Sequence, residues 1–210
     1  KNITTSQSGR NNKIMKFTAL EIPEVILIEP TIHGDDRGYF METYRHDKLE
    51  EFTGFRINFR QDNQSLSSYG VLRGLHYQTD EHAQSKLVRV LHGEVLDVAV
   101  DIRQGSPTFG QHLSQVLSSE NQKQLFIPKG FAHGFVVLSE KAVFSYKVDN
   151  FYAPAADRGI LFNDPTLNID WSLDESKLLC SEKDLNQPTF EKAEMQDYAF
   201  PFYQPLMKVA

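Results

Sequence analysis

Cysteine is almost absent from this chain of 210 residues, in which Cys180 is the only one. A single cysteine cannot form an internal disulfide, so the sequence shows no sign of an oxidising compartment and favours a cytoplasmic location. Long apolar runs are missing as well, because none approaches the roughly 18 to 20 residues that a membrane-spanning helix requires. We therefore expect no membrane partner.

An excess of basic residues is also lacking, since the formal net charge is −6 and the isoelectric point is about 5.6. The average surface would repel a nucleic-acid backbone or an anionic membrane, which excludes both as the main partner. Hydrophobic residues make up 40% of the chain. That content over this length is sufficient for one sizeable core.

The two ends of the chain differ in composition from the rest. Residues 1–14 are polar and lack the apolar centre of a signal peptide, which predicts a disordered tail or a remnant of expression. Residues 15–196 are predicted to form a single domain. Residues 197–210 contain the run YAFPFYQPLMKV. This segment is too aromatic for a free tail, and we expect it to pack on the domain or on a neighbouring subunit.

Short apolar runs rich in β-branched and aromatic residues dominate the rest of the sequence and predict strands. They are VILIEP (25–30), KLVRVLHGEVLDVAVDIR (86–103), HLSQVLS (112–118), QLFIP (124–128), FAHGFVVLS (131–139) and AVFSYKV (142–148). Helix is predicted only for two short segments, 47–53 and 181–185. Turn residues separate the strands at hairpin spacing. The pattern predicts an all-β fold with a few short helices, a double-stranded β-helix or jelly roll of the cupin type that closes around a cavity.

His76 lies in a further strand-like run, GVLRGLHYQ (70–78), ten residues before Lys86. Histidine titrates near neutral pH and is suited to act as a general base. A nearby ammonium suits the enolate oxygen that forms when a proton next to a ketone is removed. The pair indicates proton-abstraction chemistry, although a histidine in an apolar strand, taken alone, is more often a hydrogen-bonded core residue.

A metal site is the alternative that the same histidine suggests. Metal-binding cupins carry two histidines one residue apart, then a glutamate, and a later histidine after a Pro-x-Gly turn. His76 and His133 fit this pattern, but Gln78 occupies the second histidine position and Glu81 lies outside the glutamate position. Because an amide oxygen is a poor substitute for imidazole, we expect no metal.

The chain resembles the dTDP-4-dehydrorhamnose 3,5-epimerase family, which makes the rhamnose precursor for bacterial surface polysaccharides. The matching segments fall in the family's order: GDDRGYFMETY (34–44), QDNQS (61–65), GVLRGLHYQ (70–78), KLVRVLHGEVLDVAVDIR (86–103), SPTFG (106–110), IPKGFAHGF (127–135), NFYAP (150–154), NDP (163–165), IDW (169–171) and SEKD (181–184). The resemblance extends from about Ile22 to Asp184 and leaves the tails outside it.

The resemblance implies roles for individual residues. His76 matches the catalytic base and Asp184 the carboxylate that pairs with it, while Tyr146 matches the proton donor on the opposite face of the sugar ring. Lys86 and His133 match groups near the keto oxygen, where they would stabilise the enolate. The remaining matches are substrate contacts: Arg37, Glu42, Gln61, Asp62, Asn63, Arg73, Tyr152, Asp157 and Lys183.

Among these contacts, Arg37, Arg73 and Lys183 match cations that suit a pyrophosphate, and Tyr152 matches the aromatic residue that stacks on thymine. Asp157 departs from the family, which commonly has a glutamate at this position. Its side chain is therefore one methylene shorter, which concerns binding and not the chemistry.

The implied substrate is a dTDP-4-keto-6-deoxy sugar, whose protons at C3 and C5 are acidified by the ketone. Removal by His76 and return by Tyr146 at each carbon in turn would convert dTDP-4-keto-6-deoxyglucose into dTDP-4-keto-L-rhamnose. No cofactor is implied, because electrons stay in the substrate and cationic side chains can hold the oxyanion. The resemblance also implies a homodimer with strand exchange, which would protect an open sheet edge.

Three alternatives remain open on the sequence. A single-centre 3- or 5-epimerase of another dTDP-4-keto-6-deoxy sugar would keep the same base and differ in pocket shape. A metal-dependent cupin would need the ligands that Gln78 disfavours. A non-catalytic sugar-nucleotide-binding protein would bind the same molecule without needing a base.

Overall fold

The structure is a computed structural model that describes residues 15–54 and 56–195. The segments for which the sequence predicts tails, residues 1–14 and 197–210, lie outside the described residues. The limits proposed for the single domain therefore stay a prediction.

Strands dominate the described residues, as the sequence predicts. The strands are β1 (Met15–Ala19), β2 (Ile26–Pro30), β3 (His33–Asp35), β4 (Gly38–Phe40), β5 (Gln61–Ser68), β6 (Leu72–Gln78), β7 (Lys86–His92), β8 (Glu94–Asp101), β9 (His112–Ser118), β10 (Gln124–Ile127), β11 (Phe131–Val137), β12 (Lys141–Val148) and β13 (Asp157–Gly159). The helices are α1 (His46–Thr53) and α2 (Glu182–Leu185), with 3₁₀ turns at Asp80–His82, Pro154–Ala156, Glu175–Lys177 and Phe190–Lys192. The all-β prediction is confirmed.

Two large sheets and one small hairpin hold these strands. The first sheet has the order β1-β2-β10-β7-β12-β5, and the second has the order β13-β6-β11-β8-β9. The hairpin consists of β3 and β4. All the pairs within the sheets are antiparallel. The two sheets form the jelly roll that the strand pattern predicts.

The main core lies between the two large sheets. Alternate residues of β8 show how it is built, because Val95 and Ala99 belong to this core while Leu96 and Val98 belong to a second cluster on the opposite face of the same sheet. That second cluster includes Trp171, from the chain that follows β13. A strand buried on both faces is apolar nearly throughout, which explains the continuous run in the sequence.

Helix α1 covers part of the outer face of the six-stranded sheet. Leu49 of α1 packs with Ile26, Leu87 and Phe126 in a third apolar cluster. With eight residues, α1 is the longest helix of the described residues, and no helix in this part of the chain is long and apolar enough to cross a membrane.

Candidate active site

A cavity of about 670 Å³ opens between the two large sheets. Its wall takes residues from both sheets and from the segment that leads into α2. The lining residues are Asn63, Gln64, Ser65, Val71, Leu72, Arg73, His76, Lys86, His133, Phe135, Phe144, Tyr146, Leu179, Cys180, Ser181, Lys183 and Asp184. Eight of the residues predicted from the sequence for the site are among them.

An irregularity in β6 brings Arg73 and His76 to the same wall. Residues three apart on a regular strand point to opposite faces of the sheet. Here Arg73 pairs with Phe135 and His76 pairs with His133, so three steps along β6 oppose two steps along β11. The extra residue is a β-bulge, and such bulges re-aim side chains next to active sites. Gly74 lies within it with a φ of +129°.

His76, which is partly exposed, pairs with the buried Asp184. The Nε2 atom of His76 lies 2.6 Å from Oδ1 of Asp184, and Asp184 is 3% exposed. Burial would raise the pKa of Asp184, but the hydrogen bonds from His76 and Ser181 outweigh burial and hold this pKa below its usual value. Since the ionised carboxylate accepts a hydrogen bond from Nε2–H, the neutral ring keeps Nδ1 as its basic nitrogen.

A second histidine–carboxylate pair lies beside the first. His133 faces His76 across the β6–β11 ladder, and its Nε2 lies 2.9 and 3.0 Å from the two carboxylate oxygens of Asp97. Burial lowers the pKa of His133, and the Asp97 carboxylate opposes this effect. The net effect is a lowered pKa, so the ring is mostly neutral at neutral pH. Sequence reasoning missed Asp97, although an acid within the buried strand EVLDVAVD is a signal that could have found it.

Lys86 brings an ammonium group to the same part of the cavity. It begins β7 on the six-stranded sheet, and its Nζ donates a hydrogen bond to the backbone oxygen of His76 at 3.4 Å. Burial lowers the pKa of Lys86 to about 8, against the opposing influence of Asp97 and Asp157. Lys86 is therefore largely cationic at neutral pH.

Tyr146 occupies the wall opposite His76. It belongs to β12 of the six-stranded sheet, whereas His76 belongs to β6 of the five-stranded sheet. Burial is the main cause that raises the pKa of Tyr146; nearby Asp157 adds to the rise and Arg73 opposes it. The phenol therefore stays protonated at neutral pH and can donate a proton.

Three other predicted residues, Gln61, Tyr152 and Asp157, do not line the cavity but are linked by hydrogen bonds to Asn63 and Lys183, which do. Asp157 accepts hydrogen bonds from Lys183 and from the Tyr152 hydroxyl. The backbone N–H of Tyr152 donates to Gln61 at 3.3 Å, and the Gln61 amide donates to Asn63 at 2.8 Å. The shorter acid at position 157 thus still reaches two of the predicted substrate contacts.

Three predicted contacts lie away from the cavity of the same chain. Arg37, in the turn between β3 and β4, pairs with Asp35. Glu42 pairs with Arg45, and Asp62 pairs with Lys147. None of the three lines the cavity.

Gln78, the residue at the missing histidine position, is engaged by the backbone. Its side-chain nitrogen donates to the carbonyls of His82 and Phe151, and its side-chain oxygen accepts from the N–H of Ala153 at 2.8 Å. Among the described residues, no three His, Cys, Asp or Glu side chains are grouped in a way that could hold a metal ion.

Comparisons with known proteins agree with this architecture. The family model described as dTDP-4-dehydrorhamnose 3,5-epimerase matches residues 19–192. A curated dTDP-4-dehydrorhamnose 3,5-epimerase of Pseudomonas aeruginosa is 57% identical over 180 residues, which are 86% of this chain and 98% of the relative.

Two solved structures are similar over most of the fold. The dTDP-6-deoxy-D-glucose-3,5-epimerase of Legionella pneumophila, in complex with dTDP-4-keto-L-rhamnose, has a TM-score of 0.83 and 48% identity, covering 91% of this chain and 100% of that one. A 3'-monoepimerase from Streptomyces bikiniensis, in complex with dTDP-quinovose, has a TM-score of 0.77 and 34% identity, covering 82% of this chain and 86% of that one. With a matching family model over most of its length and relatives at this level of identity, the chain belongs to the dTDP-4-dehydrorhamnose 3,5-epimerase family.

Proposed function

We propose that this protein is a cofactor-independent isomerase that converts dTDP-4-keto-6-deoxyglucose into dTDP-4-keto-L-rhamnose by inverting C3 and C5. The observation that carries the proposal is the placement of His76 and Tyr146 on different sheets that face one cavity. A base and a proton donor on opposite walls are what inversion at a carbon requires, because the proton leaves one face and returns to the other.

The proposed reaction begins with removal of a proton next to the ketone by Nδ1 of His76. Asp184 keeps Nε2 protonated and stabilises the imidazolium that forms. Negative charge then develops on the keto oxygen, where Lys86 supplies positive charge and a hydrogen bond. His133, held by Asp97, lies in the same part of the cavity. Tyr146 returns a proton from the opposite wall. Exchange with solvent then removes the added proton from His76 and returns one to Tyr146, and the second carbon next to the ketone undergoes the same steps.

The charges around the cavity support a sugar nucleotide as the substrate. Arg73 and Lys183 line the cavity and suit the two phosphates of a nucleoside diphosphate. Tyr152 is 56% exposed and lies beside Lys183 through Asp157, where its ring is available to stack on a base. The bound dTDP-4-keto-L-rhamnose named for the Legionella pneumophila relative supports the same class of ligand.

The proposal includes a homodimer with strand exchange. Tyr39 and Phe40 of the β3–β4 hairpin are 61% and 67% exposed, and exposed aromatic residues of this kind favour an interface. The edge strands β1 and β5 of the six-stranded sheet also gain from cover by a second chain. In this assembly the hairpin of one protomer reaches the cavity of its partner, and Arg37 contacts the substrate there.

Proton NMR in deuterium oxide tests the function. We expect the C3 and C5 proton signals of dTDP-4-keto-6-deoxyglucose to disappear with the wild-type protein and to persist with the His76→Ala variant. His92→Ala is the matched control, because His92 is an exposed histidine outside the cavity, and it should behave as wild type.

The pattern of exchange also separates the remaining candidates. Loss of one signal alone would indicate a single-centre epimerase, the activity named for the Streptomyces bikiniensis relative. Exchange that persists in His76→Ala would remove His76 as the base. No exchange at either carbon, with the ligand bound, would contradict the catalytic proposal and favour a binding protein.

A further inference from the structure

Ser181 lies in the wall of the cavity immediately before the first turn of α2. Its hydroxyl contacts Asp184 twice. The Oγ atom accepts a hydrogen bond from the Asp184 backbone N–H at 3.1 Å, and it donates one to Oδ2 of the Asp184 carboxylate at 2.8 Å. The other carboxylate oxygen, Oδ1, is the one that contacts His76. One hydroxyl therefore binds both the main chain and the side chain of the residue that holds the histidine.

The burial of Asp184 makes these contacts significant. A carboxylate that is 3% exposed has little access to water, and a buried oxygen left without a donor destabilises the ionised form. The donor to Oδ2 is Ser181. Without this hydrogen bond the carboxylate would be held by His76 and, less strongly, by the Ser181 backbone N–H, and it would turn more freely.

We infer that Ser181 is a positioning residue for the proposed reaction, which fixes the Asp184 carboxylate in the orientation that accepts a hydrogen bond from the His76 ring. Ser181 acts through Asp184 and His76. The inference rests on the proposed function, because the orientation of the ring affects the rate only if His76 is the base.

An ordinary helix cap is the competing explanation, and three variants distinguish it from positioning. Ser181→Ala removes both the cap acceptor and the carboxylate donor. Ser181→Gly removes the same hydroxyl but is well tolerated before a helix. Ser181→Thr keeps the hydroxyl. A positioning role predicts that Ala and Gly lose activity alike and that Thr rescues it, whereas a capping role predicts that Gly resembles wild type.

Steady-state kinetics supply the first readout. We expect kcat to fall about tenfold in both Ala and Gly, the effect of losing a hydrogen bond to a charged group, while KM changes by less than about twofold because no substrate contact is lost. The hydrogen bond from Ser181 helps to hold the pKa of Asp184 low. Its removal should therefore raise the pKa of Asp184, and Thr should restore the lower value.

A second measurement does not depend on turnover. The carboxyl carbon of Asp184, followed by ¹³C NMR, should titrate at higher pH in the Ala and Gly variants than in wild type and Thr. Unchanged kinetics and an unchanged titration in Ala and Gly would overturn the inference, as would a loss confined to Ala. Absence of proton exchange in the wild-type protein would instead contradict the proposed function, so the two failures are distinguishable.

Discussion

Burial works against the charge on which the proposed role of Lys86 depends. Its ammonium group must be charged to stabilise an enolate, yet burial lowers its pKa to about 8. The charged form is present below this pKa and is lost as the pH rises through it. The neighbouring Tyr146 has a raised pKa, so loss of its proton does not account for a change in this range.

We therefore predict that kcat/KM falls above about pH 8, roughly tenfold per pH unit. Lys86→Arg keeps a cation that stays charged throughout the accessible range, so its basic limb should move to higher pH even if its maximal rate is lower. Lys86→Met should be slow at every pH. Initial rates of proton exchange measured over this range are the test, and a wild-type profile without a basic limb near pH 8 would contradict the assignment.

Asp97 and His133 illustrate what the sequence could and could not predict at this scale. The role of His133 could be predicted from its place in a family motif. Asp97 was not predicted, because it lies in a strand whose apolar character indicates core residues. The partner of a buried histidine depends on which strands are neighbours, and β8 lies beside β11 through pairing that no local pattern specifies. Long-range pairs such as His76 and Asp184, 108 positions apart, became predictable only through the resemblance.

At the scale of elements, local apolar pattern identified some strands and missed others. Strands β7 to β12 carry β-branched or aromatic runs and lie where the sequence predicts them. Strand β5, QDNQSLSS, is polar and has no such signal, because it is held by its ladder with β12 and not by an apolar face. β-Propensity describes how well a residue fits a half-buried sheet surface. It therefore does not identify a polar edge strand beside a cavity.

The β6 bulge offers a test of how an element positions the site. A Cβ atom added at Gly74 would lie 2.5 Å from Cα of Gly134 and 2.8 Å from the carbonyl oxygen of His133. Gly105→Ala is a matched control, because Gly105 also has a positive φ, of +82°, with nothing within 4 Å of an added Cβ. The control therefore measures the conformational cost alone, about 1 to 2 kcal/mol.

We predict that Gly74→Ala lowers the free energy of unfolding by about 1 to 3 kcal/mol more than Gly105→Ala, since backbone atoms must move to relieve the contact. It should also lower kcat, because the same bulge places Arg73 and His76 on one wall. Denaturant unfolding and proton-exchange rates measure the two effects. Equal losses of stability in the two variants, with full activity in Gly74→Ala, would mean that the bulge is not needed to aim these side chains.

At the scale of the whole molecule, the described chain forms most of the proposed site by itself but leaves Arg37 outside the cavity. The Arg37 side chain is 88% exposed and pairs with Asp35, on a hairpin that also exposes Tyr39 and Phe40. Neither the sequence nor one protomer assigns this hairpin to a cavity, because strand exchange depends on the contact between two chains. A homodimer in which each hairpin serves the partner would complete both sites.

Mixing two inactive variants tests this arrangement directly. Consider a heterodimer of one His76→Ala chain and one Arg37→Ala chain in which each hairpin serves the cavity of the partner. One cavity then has both defects and the other has neither. Random reassortment makes about half of the dimers mixed, so we predict recovery of about a quarter of the wild-type activity, provided that each variant alone is nearly inactive. If Arg37 serves its own chain, each cavity of the mixed dimer has one defect, and unfolding and refolding the variants together would restore nothing. Arg37→Ala with full activity on its own would remove Arg37 from the site altogether.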